Sequence, residues 1–251
     1  MKSLTSKLVW GLTVLLLLSA TSVAFAVRGT AKVSNTVHNL SASGPAWSLY
    51  RTNETEICIF CHTPHGGDNT GPLWNRNIPG ALSFTTYDSS TLSAEVAGVT
   101  TINPESLLCL ACHDGGLSVN HLLNYNTVNP ILNAGTSDPN TTIVGTPGAN
   151  PRIGGAPGAE NSTGQLGDDH PISFSYNTVL TEYGVSGKGG LHTVLAAETA
   201  GVQFFGGAAA RVECSSCHDP HVDYEVSSPD YYPFLIMPNT GSALCLACHD
   251  K

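Results

Sequence analysis

The residues able to do chemistry are concentrated in four copies of the pattern Cys-x-x-Cys-His, which together contain all eight cysteines of the chain. Two thiols separated by two residues can each form a thioether with one vinyl group of the same porphyrin, and the histidine that follows can bind the iron. The spacing therefore predicts four covalently attached haem c groups. The attachment cysteines would be Cys58, Cys61, Cys109, Cys112, Cys214, Cys217, Cys245 and Cys248, and the proximal iron ligands His62, His113, His218 and His249.

Two other chemistries use cysteines at this spacing, namely structural zinc sites and redox-active dithiols. Neither requires a histidine directly after the second cysteine. Histidine accounts for 10 of the 251 residues, so its presence after all four motifs by chance has a probability on the order of a few in a million. The pattern therefore favours haem attachment over zinc binding or disulfide chemistry.

The second axial ligand on each iron separates an electron carrier from an enzyme, because an iron with two histidine ligands has no open position for a substrate. Outside the motifs there are six further histidines, and beyond the N-terminal segment Met237 is the only methionine. Six histidines are enough for bis-histidine ligation at four irons, which indicates electron transfer without enzymatic activity. They are His38, His65, His121, His170, His192 and His221.

Two of these histidines are constrained by their position. His65 and His221 each lie three residues after a proximal histidine, which is too short a segment to pass around the porphyrin rim to its opposite face. Each is therefore predicted to bind the iron of a different haem, which would hold the two haems close together. His38 and His170 remain open candidates. His121 and His192 lie in mixed polar and apolar sequence, which is more typical of histidines that bind no metal.

The first 26 residues have the pattern of a secretory signal peptide. Lys2 and Lys7 provide a basic start, residues 8–20 are apolar, and Ala24-Phe25-Ala26 offers a cleavage site between small residues. Cleavage there would leave a single mature domain, residues 27–251. Covalent haem attachment in bacteria also takes place outside the cytoplasm, so we expect a protein exported through the periplasm and secreted or held at the outer cell surface.

The charge of the mature chain excludes one class of function. Eight basic and nineteen acidic residues would remain after cleavage, a formal charge of −11. Nucleic-acid binding needs a basic face, so no nucleic-acid partner is expected. The acidity contributes to solubility, and it would also favour docking of a basic partner or a metal cation.

The composition does not predict a conventional hydrophobic core. The chain has 26 glycines and 15 prolines, and residues 135–169 show neither helical nor strand periodicity. We expect mostly irregular coil with a few short helices and little strand, wrapped around a stacked chain of haems. One helix is predicted from Asn103-Pro104-Glu105 through the second motif to Gly115, and Asn53 with Glu56 resembles a capping box ahead of the first motif.

Several segments around the motifs resemble a known family. These segments are Val37-His38-Asn39-Leu40-Ser41, residues 56–65, Pro72-Leu73-Trp74-Asn75-Arg76, Asp169-His170-Pro171, residues 212–221 and the C-terminal residues 245–251. They look like the doubled-CxxCH multihaem c-type cytochromes, and most closely the OmcE-type tetrahaem outer-surface cytochromes of metal-respiring bacteria. The resemblance implies that the distal iron ligands are His38, His65, His170 and His221, and that one iron per subunit takes its histidine from a neighbour.

The resemblance also implies extracellular electron transfer by a head-to-tail homopolymer, a conductive filament that passes electrons from other redox cytochromes to acceptors such as metal oxides. His65 is the expected bridge to the His218 iron of the next subunit, with His38 as the competing choice. A monomeric periplasmic or surface electron shuttle with the same ligands remains an alternative. A multihaem reductase would need a five-coordinate iron, and the Cys-x-x-Cys-Lys motif of multihaem nitrite reductases is absent from the sequence.

Overall fold

The computed structural model describes residues 29–46, 51–78, 84–113, 122–125, 165–167, 169–183 and 190–250. The predicted signal peptide (residues 1–26), His121 and nearly all of the glycine-rich segment 135–169 lie outside these ranges. Within them the chain is mostly coil with a few short helices and little strand, and this part of the fold prediction is confirmed.

The helices in the described residues are short. They are α1 (Ala94–Ala97), α2 (Pro104–His113), α3 (Tyr176–Tyr183), α4 (Val194–Ala200), α5 (Cys214–Cys217) and α6 (Ala243–Leu246). Single 3-10 turns cover Val33–Asn35, Cys58–Phe60, Gly207–Ala209, Pro229–Tyr231 and Thr240–Ser242. Across the described ranges, no helix has the length and apolar character needed to cross a membrane.

Two small sheets connect segments that are distant in the sequence. β1 (Thr85–Thr86) pairs parallel with β2 (Gln165–Leu166), and β3 (Phe174–Ser175) pairs antiparallel with β4 (Arg211–Val212). In the second sheet the register places Phe174 opposite Val212. Because β4 ends one residue before Glu213, this sheet fixes the chain directly ahead of the third Cys-x-x-Cys-His motif.

Helix α2 starts where the sequence predicted. Pro104 is its first residue, Glu105 lies in its first turn, and the helix continues through the second motif to His113. Proline suits the first position because it has no N–H that would be left without an intrahelical partner. An acidic side chain in the first turn is favourable because the N-terminus of a helix carries partial positive charge. The predicted stop at Gly115 lies outside the described residues.

The capping box predicted before the first motif is wrong. The motif starts in a three-residue 3-10 turn, Cys58–Phe60, that has no side-chain cap. The Glu54 carboxylate instead accepts hydrogen bonds from the backbone N–H groups of Thr55 and Glu56, at 2.6 and 3.0 Å. These bonds form a separate turn ahead of the motif, so no helix begins at the position where a capping box would act.

The apolar side chains of the described residues form four separate clusters of two to six buried residues. The largest joins α1, α3 and the second sheet through residues that include Val96, Phe174, Val179 and Val212. The elements are short and none of the helices buries more than three side chains, so the clusters do not merge into one core. Cys61 and Cys112 pack against one of the clusters, and Cys248 packs against two others.

Buried polar side chains stabilise the loops that carry the histidines. Asn75 donates to the carbonyl oxygens of Ile59 (2.7 Å) and Asn124 (2.9 Å), which ties the first motif to a distant loop. The fully buried Asp223 carboxylate accepts from Asn35 Nδ2 and Ser227 Oγ, both at 2.8 Å. Because buried polar groups without partners are costly, these bonds fix the loop conformations that apolar packing cannot.

Candidate metal centre

Each of the four Cys-x-x-Cys-His motifs contains a tight helical turn. The second motif ends α2, the third forms α5, the fourth begins in α6, and the first is the 3-10 turn Cys58–Phe60. In three motifs the histidine N–H donates to the first cysteine's carbonyl oxygen: His62 to Cys58 (2.8 Å), His218 to Cys214 (3.0 Å) and His249 to Cys245 (2.9 Å). Residues three apart share one face of a helical turn, so both thiols can reach one porphyrin.

Thiols of successive motifs are close enough to interact electrostatically. The pairs are Cys61 with Cys112, Cys109 with Cys214, and Cys217 with Cys248. Burial and the proximity of Cys112 raise the pKa of Cys61 to about 12. A hydrogen bond between the thiols of Cys109 and Cys214 raises the pKa of the first and lowers the pKa of the second. The four motifs therefore neighbour one another in space in the order in which they occur along the chain.

Three of the four proximal histidines face a second imidazole from a distant part of the chain. The ring centroids of His62 and His221 are 6.3 Å apart with the planes inclined by 13°. The other two pairs are His38 with His113, at 6.1 Å and 82°, and His170 with His249, at 6.4 Å and 70°. The structure thus brings together three of the predicted distal ligands, each with a proximal histidine of a different motif.

The separation in these pairs fits two imidazoles that share one iron. A metal–imidazole bond is about 2 Å long, and the ring centre lies roughly 1 Å behind the bonding nitrogen, so ring centres on either side of one ion are roughly 6 Å apart. A porphyrin would supply four further nitrogens, so the protein would need to provide only two ligands. The described ranges contain no cluster of three or more His, Cys, Asp or Glu side chains arranged for a metal ion.

Hydrogen bonds to Nδ1 orient the imidazoles. Four of these bonds go to proline carbonyl oxygens: His62 to Pro72 (2.8 Å), His170 to Pro171 (2.8 Å), His38 to Pro220 (3.2 Å) and His218 to Pro233 (3.1 Å). A carbonyl oxygen only accepts, so Nδ1 carries the proton and Nε2 presents its lone pair. This tautomer binds metals through Nε2, and such second partners raise the basicity of the ligand. In His221 the Asp219 carboxylate has the same role, at 2.8 Å.

His38 is the most enclosed of the predicted distal ligands. Its ring stacks on Phe234 with centroids 4.3 Å apart. Burial, and next the neighbouring His113, lowers the pKa of His38 to about 4. The imidazole is therefore neutral at pH 7, which is the form that binds a metal ion.

His218 and His65 are the exceptions to the pairing. Both are exposed, and within the described ranges neither ring faces a second imidazole. His218 nevertheless has its Nδ1 held by Pro233, as the paired histidines do. Within the described ranges, the proximal histidine His218 and the predicted distal histidine His65 thus each lack a facing imidazole.

Sequence reasoning missed the groups that hold the histidines in place. Asp219 could have been found, because it lies two residues before His221 and a short polar side chain reaches that distance. Phe234 had no local signal, because it lies almost 200 residues from His38 and contacts it only in the folded chain. The proline carbonyls were also unrecognised, although prolines stand next to or near several of the motifs.

Comparison of the chain with protein-family models and with curated proteins finds no match.

Proposed function

We propose that this protein is a tetrahaem c-type cytochrome that transfers electrons outside the cell as a head-to-tail homopolymer. The observation that supports it most directly is the set of three imidazole pairs, 6.1 to 6.4 Å apart, each containing one histidine of a Cys-x-x-Cys-His motif. The Nδ1 hydrogen bonds further support the proposal, because they leave Nε2 of each oriented ring available for iron.

The residues have separate tasks in this proposal. The eight cysteines attach four haem c groups, and the histidines of the motifs bind the irons from the proximal side. His221, His38 and His170 close the distal positions opposite His62, His113 and His249 respectively. When bound, the haems supply reversible one-electron chemistry. With both axial positions taken by histidine, the chain excludes substrates and water from the irons, which favours electron transfer over catalysis.

The two unpaired histidines support polymerisation. Each chain has one proximal histidine, His218, without an imidazole opposite it, and one exposed histidine, His65, without a partner ring within the described ranges. If His65 of one subunit binds the His218 iron of the next, every subunit both donates and receives a ligand. Such an interface joins two different surfaces and continues as a filament unless the rotation closes a ring.

The position of His38 weakens the competing choice for the bridge. Its ring lies 6.1 Å from that of His113 within the same chain and stacks on Phe234. A histidine held in this way would have to break these contacts to reach another subunit. His65 has no such restraint, because its ring is exposed.

Export and partners complete the proposal. The N-terminal signal pattern and the covalent haem chemistry support delivery through the periplasm to the cell surface or medium. Other redox cytochromes would supply the electrons, and extracellular acceptors such as metal oxides would receive them.

One observation also favours a second function. A chain that remained monomeric would have a five-coordinate iron at His218, because no imidazole of the described residues faces it. Such an iron could bind a small substrate, as in a multihaem reductase. A monomeric electron shuttle would instead require a ligand at this position from the part of the chain outside the described ranges, such as His121.

Electron microscopy of the secreted, purified protein separates these functions when it is combined with a carbon monoxide difference spectrum. The polymer proposal expects filaments with four haems per chain and no carbon monoxide binding. Monomers with one carbon monoxide-binding haem would indicate the reductase, and monomers with four unreactive haems the shuttle. His192→Ala is a matched control, because it removes a histidine that has no assigned ligand role.

A further inference from the structure

Glu213 is a fully buried carboxylate directly before the third Cys-x-x-Cys-His motif, and its side chain has no exposed surface. Its two oxygens accept hydrogen bonds from three side chains. Oε1 lies 2.7 Å from Asn103 Nδ2, and Oε2 lies 2.6 Å from Ser106 Oγ and 3.0 Å from Ser173 Oγ.

The hydrogen bonds around the Glu213 side chain all run towards its carboxylate oxygens. Ser106 Oγ already accepts from the backbone N–H of Cys214 (3.1 Å), and Ser173 Oγ accepts from the backbone N–H of Asn103 (3.0 Å). A hydroxyl has one proton to donate, so each serine uses it towards Glu213. Glu213 therefore meets three side-chain donors, which take the place of water around a negative charge at this buried position.

This charge lies where two motifs meet. Ser106 is in α2 three residues before Cys109, and Glu213 is one residue before Cys214. The thiols of Cys109 and Cys214 are themselves in hydrogen-bonding contact. Glu213 therefore connects the second motif to the third, beside the points where two different haems would be attached.

We infer that the buried carboxylate of Glu213 lowers the reduction potentials of two haems. One is the haem attached at Cys109 and Cys112, and the other is the haem attached at Cys214 and Cys217. The inference rests on the haem attachment in the proposed function. Oxidation of a haem adds one positive charge to it, and a nearby buried anion stabilises that charge because the protein interior screens it much less than water does. The ferric state of these two haems is therefore favoured over the ferrous state.

A neighbouring cation compensates only part of this charge. Arg211 Nε lies 3.5 Å from Glu213 Oε1, and its Nη2 lies 3.2 Å from Glu105 Oε1, so one guanidinium is shared by two carboxylates. Arg211 and Glu105 are both about a third exposed, which allows solvent to screen their charges. Glu213 is the member of this cluster that water cannot screen.

The test is a spectroelectrochemical titration of the purified holoprotein and its Glu213→Gln variant. We expect the ratio of oxidised to reduced haem at a fixed applied potential to fall about tenfold for two of the four haems, which is an upward shift of about 59 mV for a one-electron couple. Glu105→Gln is the matched control, because it removes the other carboxylate bound to Arg211 but from a partly exposed site. The haem reduction potentials of the Glu105→Gln variant should shift by much less.

Arg211→Gln provides a test of the sign. Removal of the cation should lower the same potentials that Glu213→Gln raises. A structural disturbance that let water reach the haems would favour the charged ferric state in every variant, and so would lower the potentials in both. Unchanged potentials in Glu213→Gln, or a downward shift, would overturn the inference.

Haem content and circular dichroism of each variant separate this inference from the proposed function. A wild-type chain that carries no covalent haem contradicts the proposed function itself. Four haems per chain with unmoved potentials in Glu213→Gln leave the proposed function intact and refute the role of Glu213. If Glu213→Gln does not fold, Glu213→Asp retains the charge and should keep the wild-type potentials, and potentials that rise or stay unchanged in Arg211→Gln would overturn the inference.

Discussion

The imidazole planes of His62 and His221 are almost parallel, inclined by 13° with their centroids 6.3 Å apart. In the His38–His113 pair the planes are nearly perpendicular, at 82°. Pro72 and Asp219 accept hydrogen bonds from Nδ1 of the two rings in the first pair, whereas His38 is held by its Nδ1 hydrogen bond to the Pro220 carbonyl oxygen and by stacking on Phe234. One chain therefore holds pairs of neighbouring histidine rings in two distinct relative orientations.

These orientations predict two classes of low-spin signal in electron paramagnetic resonance. Parallel imidazoles split the two iron d orbitals that interact with the rings, whereas perpendicular imidazoles leave them nearly equal in energy. We expect a rhombic signal from the His62–His221 haem and strongly anisotropic signals from the perpendicular pairs. A stoichiometric high-spin signal in the native filament would contradict bis-histidine ligation at all four irons.

Replacement of His221 by alanine should open one iron in each subunit. The His62 iron would lose its distal ligand, so one haem of four should become high-spin and bind carbon monoxide while the rhombic signal disappears. His192→Ala should leave both spectra unchanged, because its ring has no assigned iron. Persistence of the rhombic signal in His221→Ala would show that another residue pairs with His62.

Replacement of His65 by alanine should disrupt assembly without preventing folding. The variant should carry four haems and elute as a monomer, with one high-spin haem per chain at His218. Size-exclusion chromatography and electron microscopy measure the assembly, and magnetic circular dichroism measures the spin state. Normal filaments with four low-spin haems would exclude His65 as the bridging ligand and return the choice to His38.

The chain should fold only with its haems attached. The described residues contain apolar clusters of at most six buried residues, and fixing the backbone costs about 1–2 kcal/mol per residue. Alanine at both Cys109 and Cys112 should make the segment around α2 susceptible to limited proteolysis and lower the secreted yield. A variant lacking the cysteines of all four motifs that stayed compact and protease-resistant would contradict this expectation.

Alkaline pH should destabilise the protein partly through Tyr224. Burial, followed by the charge of Glu225, raises the pKa of Tyr224 above its usual value. An unfolded tyrosine loses its proton near pH 10, whereas the folded one retains it. The folded state then binds more protons than the unfolded state, so the stability is fully present below pH 10 and falls as the pH rises above it.

Urea unfolding at pH 8 to 11 measures this dependence. Tyr224→Phe should unfold with a shallower loss of stability above pH 10 than the wild type. Tyr87→Phe, which changes a more exposed tyrosine, is the control and should follow the wild type. An identical slope in Tyr224→Phe and the wild type would assign the alkaline transition to other groups.

Local signals predicted the local features of the fold. The start of α2 followed from Pro104 and Glu105. The capping box failed because Glu54 takes the backbone donors that a helix start would have used. Helix starts depend on a few neighbouring groups, so one competing side chain is enough to change them.

The sequence by itself determined the number of Cys-x-x-Cys-His motifs, the cysteines and histidines that form them, and the coil-rich character of the chain. These features depend on residues within one turn of each other or on composition. The facing imidazoles were decided only by the tertiary structure, because the partners lie at least 75 residues apart (113 minus 38) and no periodicity connects them. Long-range packing likewise buried Glu213 between the second and third motifs and left the rings of His65 and His218 exposed.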